Sequence, residues 1–267
     1  METNDADFGT LKLDRPGDHL LVLTLNRPQA ANAFNTEMGE ELRTFWTGIR
    51  DDPGGLRCIV LTGAGDRAFC AGADLKERRA MPDGAWRAQH TIFEQAFKAM
   101  MDCPVPVIAA VNGAAYGGGC EMALAADFAY AADTARFALT ETTLGIIPGV
   151  GGTQNLPRAC GVRRAKEIVF TGTPIGAEQA LAWGLVNRVV PAAGLMDEVM
   201  ATARRIAANA PIAVAQAKRA LDAAWGTGLG AGLAIESEAY DNTVATEDRR
   251  EGMLAFNGKR APLFKGK

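Results

Sequence analysis

Short apolar runs alternating with stretches of helical periodicity confine this chain to an α/β architecture, because each run must be buried as a strand and each amphipathic stretch must cover a sheet. His19-Leu-Leu-Val-Leu-Thr-Leu25 ends at Asn26-Arg-Pro28, and Leu56-Arg-Cys-Ile-Val-Leu-Thr62 ends at Gly63. Between them Met38, Leu42, Phe45, Trp46 and Ile49 recur at helical spacing, which predicts a helix from Asn35 to Ile49 with Asn35 as its cap. The same pattern predicts a helix from Asp83 to Met101 and a buried strand from Val105 to Val111. A small-residue helix from Cys120 to Ala126 and strands at Phe128 to Ala131 and Arg136 to Leu139 follow. Strands alternating with helices imply parallel pairing and right-handed crossovers.

Beyond Pro191 the texture becomes helical. Leu195, Val199, Met200, Ala203 and Ile206 share one face, and Pro211 opens a second run through Val214, Ala217, Leu221 and Trp225. The chain therefore reads as an α/β region over 1–190 and a helical region over 191–267. At 267 residues it accommodates one large domain or a domain with a smaller appendage, but hardly two full domains.

Composition removes several chemistries. The single serine, Ser237, lies in an acidic helical stretch and no G-x-S-x-G occurs, which argues against a serine nucleophile. Five cysteines without a C-x-x-C pair, beside only His19 and His90, do not make a spaced metal set, so no metal is expected. A net charge of −3 offers no general attraction for nucleic acid or anionic lipid. The odd cysteine count and the acidic start, Met1-Glu-Thr-Asn-Asp-Ala-Asp7, point to a reducing, cytoplasmic setting without a secretory leader. Cys103 to Cys120 is uncharged, but Pro104, Pro106, Asn112 and the glycines break it as a membrane span.

Two glycine-bearing loops follow strands. Gly63-Ala-Gly-Asp-Arg-Ala68 fits G-x-G-x-x-A, yet Phe69-Cys-Ala-Gly-Ala-Asp74 continues as loop where a dinucleotide site needs a helix. No P-loop motif occurs. Asn112-Gly-Ala-Ala-Tyr-Gly-Gly-Gly-Cys-Glu121 joins a buried strand to a helix start, and its adjacent glycines imply close backbone approach, either to a ligand or through tight packing on the sheet. Exposed amides at a helix start favour developing negative charge on an oxygen. Glu121 is a carboxylate in an apolar segment, and Glu141, twenty residues on, is another. Burial raises the pKa of such groups towards a range useful for proton transfer. Converging on one pocket, they form a general acid/base pair; otherwise each caps a helix or pairs with an arginine such as Arg136 or Arg158.

Phe69-Cys-Ala-Gly-Ala-Asp-Leu-Lys76, Ala110-Val-Asn-Gly-Ala-Ala-Tyr-Gly-Gly-Gly-Cys-Glu121 and Glu141-Thr-Thr-Leu-Gly-Ile-Ile-Pro-Gly-Val-Gly-Gly-Thr-Gln154 together resemble the enoyl-CoA hydratase/isomerase (crotonase) family, from about Leu20 to the carboxyl end. The resemblance implies an α/β spiral of β-β-α turns with a C-terminal helical trimerisation region, assembled as a homotrimer or a homohexamer of two trimers. It further implies that the amides of Ala73 and Gly118 form an oxyanion hole for a thioester carbonyl. Glu121 would activate water for attack at C3, Glu141 would deliver a proton to C2, and the Gly149 amide would help hold the water. Members that only shift a double bond commonly keep just the acid matching Glu141, so the presence of both favours hydration of a trans-2-enoyl-CoA over Δ3-Δ2 isomerisation.

By the same resemblance, Arg27, Ala30 and Ala31 in one loop and Ala71, Gly72, Asp74, Leu75 and Lys76 in another contact coenzyme A, with Phe256 and Lys259 contributed by a neighbouring subunit. Lys76 also reads as a solvated surface residue. Coenzyme A is then part of an acyl-CoA substrate, and no separate cofactor is expected. Asp74-Leu-Lys-Glu-Arg78, Gly232-Leu-Ala-Ile-Glu236 and Thr246-Glu-Asp-Arg-Arg-Glu-Gly252 resemble methylglutaconyl-CoA hydratases, which raises a branched, carboxylated substrate. Some of those also bind RNA, but Arg87 and Lys98 are the only cations between Asp83 and Met101, too few for a phosphate-tracking stripe. Trp86, Phe93 and Phe97 are expected walls of the acyl pocket.

Overall fold

The computed structural model describes residues 8–267; the acidic stretch Met1 to Asp7 lies outside the described residues. The α/β part contains β1 (Leu11–Asp14), β2 (Leu20–Leu25), α1 (Thr36–Asp51), β3 (Cys58–Gly63), β4 (Ala68–Cys70), α2 (Leu75–Arg78) and α3 (Asp83–Met101). It continues through β5 (Val107–Val111), β6 (Ala114–Tyr116), α4 (Gly118–Ala125), β7 (Phe128–Ala132) and β8 (Arg136–Ala138). A 3-10 turn at Glu141–Leu144 then leads to α5 (Gly152–Cys160), α6 (Val162–Thr171), β9 (Ile175–Gly176), α7 (Ala177–Trp183) and β10 (Arg188–Val190). Four helices complete the chain: α8 (Leu195–Ala207), α9 (Pro211–Ala223), α10 (Leu229–Val244) and α11 (Glu247–Asn257).

The strands form a large sheet in the order β1-β2-β3-β5-β7-β10 and a small one in the order β4-β6-β8-β9. Pairing is parallel except at β1-β2 and β8-β9. The chain lays β3 in the large sheet, β4 in the small sheet and α3 across them, then repeats the move with β5, β6 and α4. The expected β-β-α spiral is therefore present. Its first turn is abbreviated: after β2, a single parallel bridge from Phe34 to Ala73 stands in for the small-sheet strand before α1 begins. Asn35 caps α1, its side chain accepting from the Met38 amide at 3.1 Å.

Alternation along the large sheet explains why its strands are apolar at nearly every position. Leu21, Leu23, Ile59, Leu61, Val107 and Ala109 enter the main core with α1 and α3. Leu20, Val22, Cys58, Val60, Ile108 and Ala110 point the other way, onto Leu195, Val199, Met200 and Ala203 of α8. Burying each leucine-sized side chain is worth about 1.5–3 kcal/mol, so α8 is held as firmly as a core helix. It thus packs with the α/β body although it follows residue 190 in the chain. By contrast α9 buries no residue fully, α10 buries Ala239, and α11 buries Asp248 and Ala255. Lys218 on α9 reaches the core through an ion pair with Asp127 at 2.8 Å, in which both side chains are largely buried.

Candidate active site

Positions 117 to 121 bring backbone and acid together because the chain passes directly from β6 into α4. Gly117 has φ +52°, a region that favours glycine, and a methyl group there would stand 3.1 Å from Glu141 Oε1. A methyl on Gly118 would meet the Phe34 ring at 2.3 Å, and one on Gly119 would meet the Cys70 carbonyl oxygen at 2.0 Å. The packing reading of the glycine triplet holds, since it seats helix against sheet, and Gly117 also leaves room for the second acid.

Gly118 is the first residue of α4, so its N–H has no acceptor within the helix. Across from it, the bridge to Phe34 uses the Gly72 carbonyl and the Asp74 amide, leaving the Ala73 N–H out of that bridge. A methyl built on Gly72 would lie 3.2 Å from the Gly118 nitrogen, which shows how closely the two segments approach.

Glu121, only 2 % exposed, accepts at Oε1 from the amides of Val150 at 2.9 Å and Gly152 at 2.7 Å. Burial pushes its carboxyl above the ordinary range, while the amides of Gly152, Val150 and Gly149 favour the charged form. Glu141 is held differently. Its Oε2 is buried with no hydrogen-bond partner, and desolvation, with a smaller repulsion from Glu121, raises its pKa to about 7. Arg136 and Arg158 are no part of this: Arg158 donates to the Gln154 carbonyl, and no arginine forms an ion pair with either acid among the described residues.

Both acids line one cavity of about 640 Å³, together with Ala71, Gly72, Ala73, Leu75, Gly118 and Gly149. Trp86 and Phe93 form part of its wall as expected, whereas Phe97 does not line it and packs its ring 6.0 Å from that of Phe34. The remaining expected coenzyme A contacts lie outside the lining. Arg27 pairs with Asp74 at 3.0 Å and donates to the Ala33 carbonyl, while Asp74 caps α2 by accepting from the amides of Lys76 and Glu77. Those two side chains fix the loops to each other, and Ala31 tightens the joint by accepting from the Ala71 amide at 3.0 Å. Ala30 lies in the same loop, half-buried, and Lys76 is exposed. Phe256 and Lys259, at the end of α11, are exposed and not among the residues lining this cavity.

Arg78, His90, Leu144, Ile146 and Ile147 also line the cavity, although sequence patterning assigned them no place there. The apolar Leu144, Ile146 and Ile147 follow within six residues of Glu141 and are solvent-exposed, and an apolar run beside a buried acid is a local signal that a pocket wall continues past it. His90 is one helical turn from Trp86 on α3 and was readable from that spacing.

Two buried acids in unlike environments, beside two backbone amides on closely approaching segments, form an arrangement capable of acid–base chemistry. The enoyl-CoA hydratase/isomerase family profile matches residues 16–267, and the chain belongs to that family of enzymes. It is similar to the short-chain-enoyl-CoA hydratase of Clostridium acetobutylicum, 41 % identical over 95 % of this chain and 97 % of the relative. It is also similar to the crotonyl-CoA hydratase of Syntrophomonas wolfei, 40 % identical over 92 % of this chain and 95 % of the relative. Among solved structures, an enoyl-CoA hydratase from Bacillus anthracis superposes with a TM-score of 0.94 at 44 % identity, covering 97 % of this chain and 100 % of that one.

Proposed function

We propose that this protein is a hydro-lyase that adds water reversibly to a trans-2-enoyl-CoA, giving the 3-hydroxyacyl-CoA. The observation that carries this reading is the unequal pair in one cavity: Glu121 with its charge supported by amides, Glu141 with a bare buried oxygen and a pKa near 7. The thioester carbonyl accepts hydrogen bonds from the Ala73 and Gly118 amides. Ionised Glu121 takes a proton from water, with the Gly149 amide helping to hold it, as hydroxide adds to C3. The π electrons move onto the carbonyl oxygen, where each prealigned amide is worth about 3 kcal/mol. Protonated Glu141 then donates to C2, the carbonyl re-forms, and after product leaves the proton on Glu121 passes to solvent while Glu141 takes one up, restoring the pair. One water is consumed, and no electron leaves or enters the substrate. No separate cofactor is needed, because coenzyme A arrives and departs with the acyl group; Arg27, Ala30, Ala31, Ala71, Gly72, Asp74, Leu75 and Lys76 are placed by resemblance around it.

Such a reaction serves fatty-acid or branched-chain amino-acid breakdown. A reducing, cytoplasmic setting suits five cysteines that are all buried and unpaired, and no helix among the described residues is long and apolar enough to cross a membrane. Exposed Trp225, Leu229, Leu233, Met253, Leu254 and Phe256 on or beside α9 to α11 support assembly through these helices, as a homotrimer or a dimer of trimers that presents Phe256 and Lys259 to a neighbour's coenzyme A. Sedimentation of the purified protein as a monomer would exclude that assembly.

The activity is tested by adding crotonyl-CoA and following loss of the conjugated thioester absorbance in the ultraviolet. Consumption with 3-hydroxybutyryl-CoA as product is the expected result. Inertness towards short, long and branched 2-enoyl-CoAs, combined with conversion of a 3-enoyl-CoA to its conjugated isomer, would replace the hydratase reading with Δ3-Δ2 isomerisation.

A further inference from the structure

Between Ala73 and Trp86 the chain buries a single residue, Arg78, while Leu75, Lys76 and Glu77 of α2 are exposed. A helix of four residues with no apolar side chain in the core does not hold itself in place. Yet α2 begins two residues after Ala73, whose amide is one of the two donors that the hydratase reading gives to the thioester carbonyl. The other donor, Gly118, opens α4, where Gly118 to Ala123 are all buried. Packing therefore anchors one arm of the donor pair, and polar groups must anchor the other.

Gln89 on α3, only 3 % exposed, supplies that anchor. Its Oε1 accepts from Arg78 Nε at 2.7 Å, and its Nε2 donates to Glu77 Oε2 and to Thr36 Oγ1, each at 2.8 Å. Glu77 also accepts from the Thr36 amide at 3.0 Å and from the Thr36 hydroxyl at 2.8 Å. Trp86 and Phe93, on the same face of α3 as Gln89, cover the Arg78 guanidinium at 4.3 and 5.3 Å from their ring centres. One buried side-chain amide thus joins the starts of α1 and α2 to α3.

The chains it joins are those of the Phe34–Ala73 bridge. The Phe34 amide donates to the Gly72 carbonyl at 2.9 Å, and the Asp74 amide donates to the Phe34 carbonyl at 3.0 Å. In a trans peptide the carbonyl and the N–H point in opposite directions, so the bond to Gly72 turns the Ala73 N–H away from Phe34. Thr36 lies two residues beyond Phe34, and Glu77 and Arg78 lie four and five beyond Ala73. Gln89 holds both sides of the bridge together from α3. The Arg27–Asp74 pair ties the same segment to the loop before Phe34 and makes no link to α3. Gln89 itself does not line the cavity, so whatever it does for a substrate passes through the backbone.

Resting on the hydratase reading, we propose that Gln89 is a positioning residue for the Ala73 amide: it clamps α2 so that this N–H meets the thioester oxygen. Its contribution is to polarisation of the carbonyl, not to acyl-chain recognition.

Two readouts test it. The first is the carbonyl stretching frequency of bound butyryl-CoA, isotopically labelled at the thioester carbon and read by infrared difference spectroscopy without turnover. Wild type is expected to lower this frequency relative to free butyryl-CoA, because donated hydrogen bonds draw charge onto the oxygen. Gln89→Met retains a side chain of similar length without its hydrogen bonds, and should return the frequency part of the way, the Gly118 amide keeping the rest. The second is hydration of crotonyl-CoA: Gln89→Met should lower kcat by about tenfold to hundredfold with KM within roughly threefold of wild type, the pattern of an interaction made in the transition state. Glu77→Ala, a surface substitution that removes one partner of Gln89, should produce both changes in smaller size, and it carries the test should Gln89→Met fail to fold. A folded Gln89→Met, or in its absence Glu77→Ala, that melts lower yet keeps the wild-type frequency and kcat would reduce Gln89 to a stabilising residue and overturn the proposal. A wild type that leaves the bound carbonyl at its free frequency overturns it too. Inertness towards every 2-enoyl-CoA with the carbonyl still shifted fails the hydratase reading alone, and the frequency then decides the role of Gln89.

Discussion

Glu121 sits in the first turn of α4 with one carboxylate oxygen clasped by the Val150 and Gly152 amides, whereas Glu141 opens a short 3-10 turn with one buried oxygen that has no hydrogen-bond partner. Both are withdrawn from water, and burial raises both pKa values. Amides of three residues oppose the rise at Glu121 and a single backbone hydrogen bond opposes it at Glu141, so two carboxyls of one residue type are supported unequally. What separates the two acids is the number of backbone amides that reach them, not a side-chain partner.

The largest effect that tests this contrast is removal of either charge. Glu121→Gln and Glu141→Gln should each lower hydration of crotonyl-CoA by about 10²–10⁴-fold. Exchange of the C2 protons of butyryl-CoA with deuterated solvent should separate them, since that exchange needs the acid beside C2 and no attacking water. Glu121→Gln should retain exchange and Glu141→Gln should lose it; equal loss in both would dissolve the division of labour.

A smaller cut leaves both acids in place. A methyl at Gly152 would lie 2.8 Å from Glu121 Oε1, displacing a carboxylate that its amides now hold. Gly152→Ala should therefore cost roughly tenfold to hundredfold in hydration, the usual penalty for an ångström of misplacement, while C2 exchange persists. The pH profile gives a still smaller step. Hydration needs one proton shared by the acid pair, held on Glu141, so kcat/KM for hydration should fall about tenfold per unit once pH passes about 7, and kcat/KM for dehydration should fall in parallel, because the overall equilibrium involves no net proton. A profile flat across neutral pH in both directions would break the assignment.

How far such a contrast is legible in sequence depends on whether its cause is local. Helix α3 runs from Asp83 to Met101 as its periodicity predicts, since a proline precedes it and nineteen residues give the pattern room. Strands β4 and β6 have three residues each, too few to show a period, and exist because they pair with each other. They fall in segments that read as glycine loops, and that pairing sets Ala73 and Gly118 side by side. Helices α5 to α7 were invisible for a similar reason: glycines and an internal Pro157 interrupt the pattern, and packing restores the helix. The two acids stood out as charges in apolar surroundings, and the resemblance supplied their roles. Arg78 has no local signal of burial in a run as charged as Lys76-Glu-Arg-Arg79, and it is α3 that lays Trp86 against its guanidinium.

The smallest effect concerns stability and isolates the unequal support of the two charges. In the folded protein Glu141 titrates near 7 against an ordinary value of 4.5, so between these values the native state holds a proton that the unfolded chain has released. Stability from this group is complete below pH 4.5 and is lost as pH rises through about 7. Glu141→Gln removes the titration and should raise the melting temperature relative to wild type at pH 8 but not at pH 4. The ceiling is about 3 kcal/mol, or roughly 5–10 °C for a chain of this size. Glu121→Gln relieves a buried charge too, yet it exchanges an ionic acceptor for a neutral one opposite the Val150 and Gly152 amides, which offsets the gain. Its pH-dependent stabilisation should therefore be the smaller of the two. Differential scanning calorimetry of the three proteins at both pH values measures the difference, and identical gains in the two variants would mean that the amides around Glu121 do not distinguish it from Glu141.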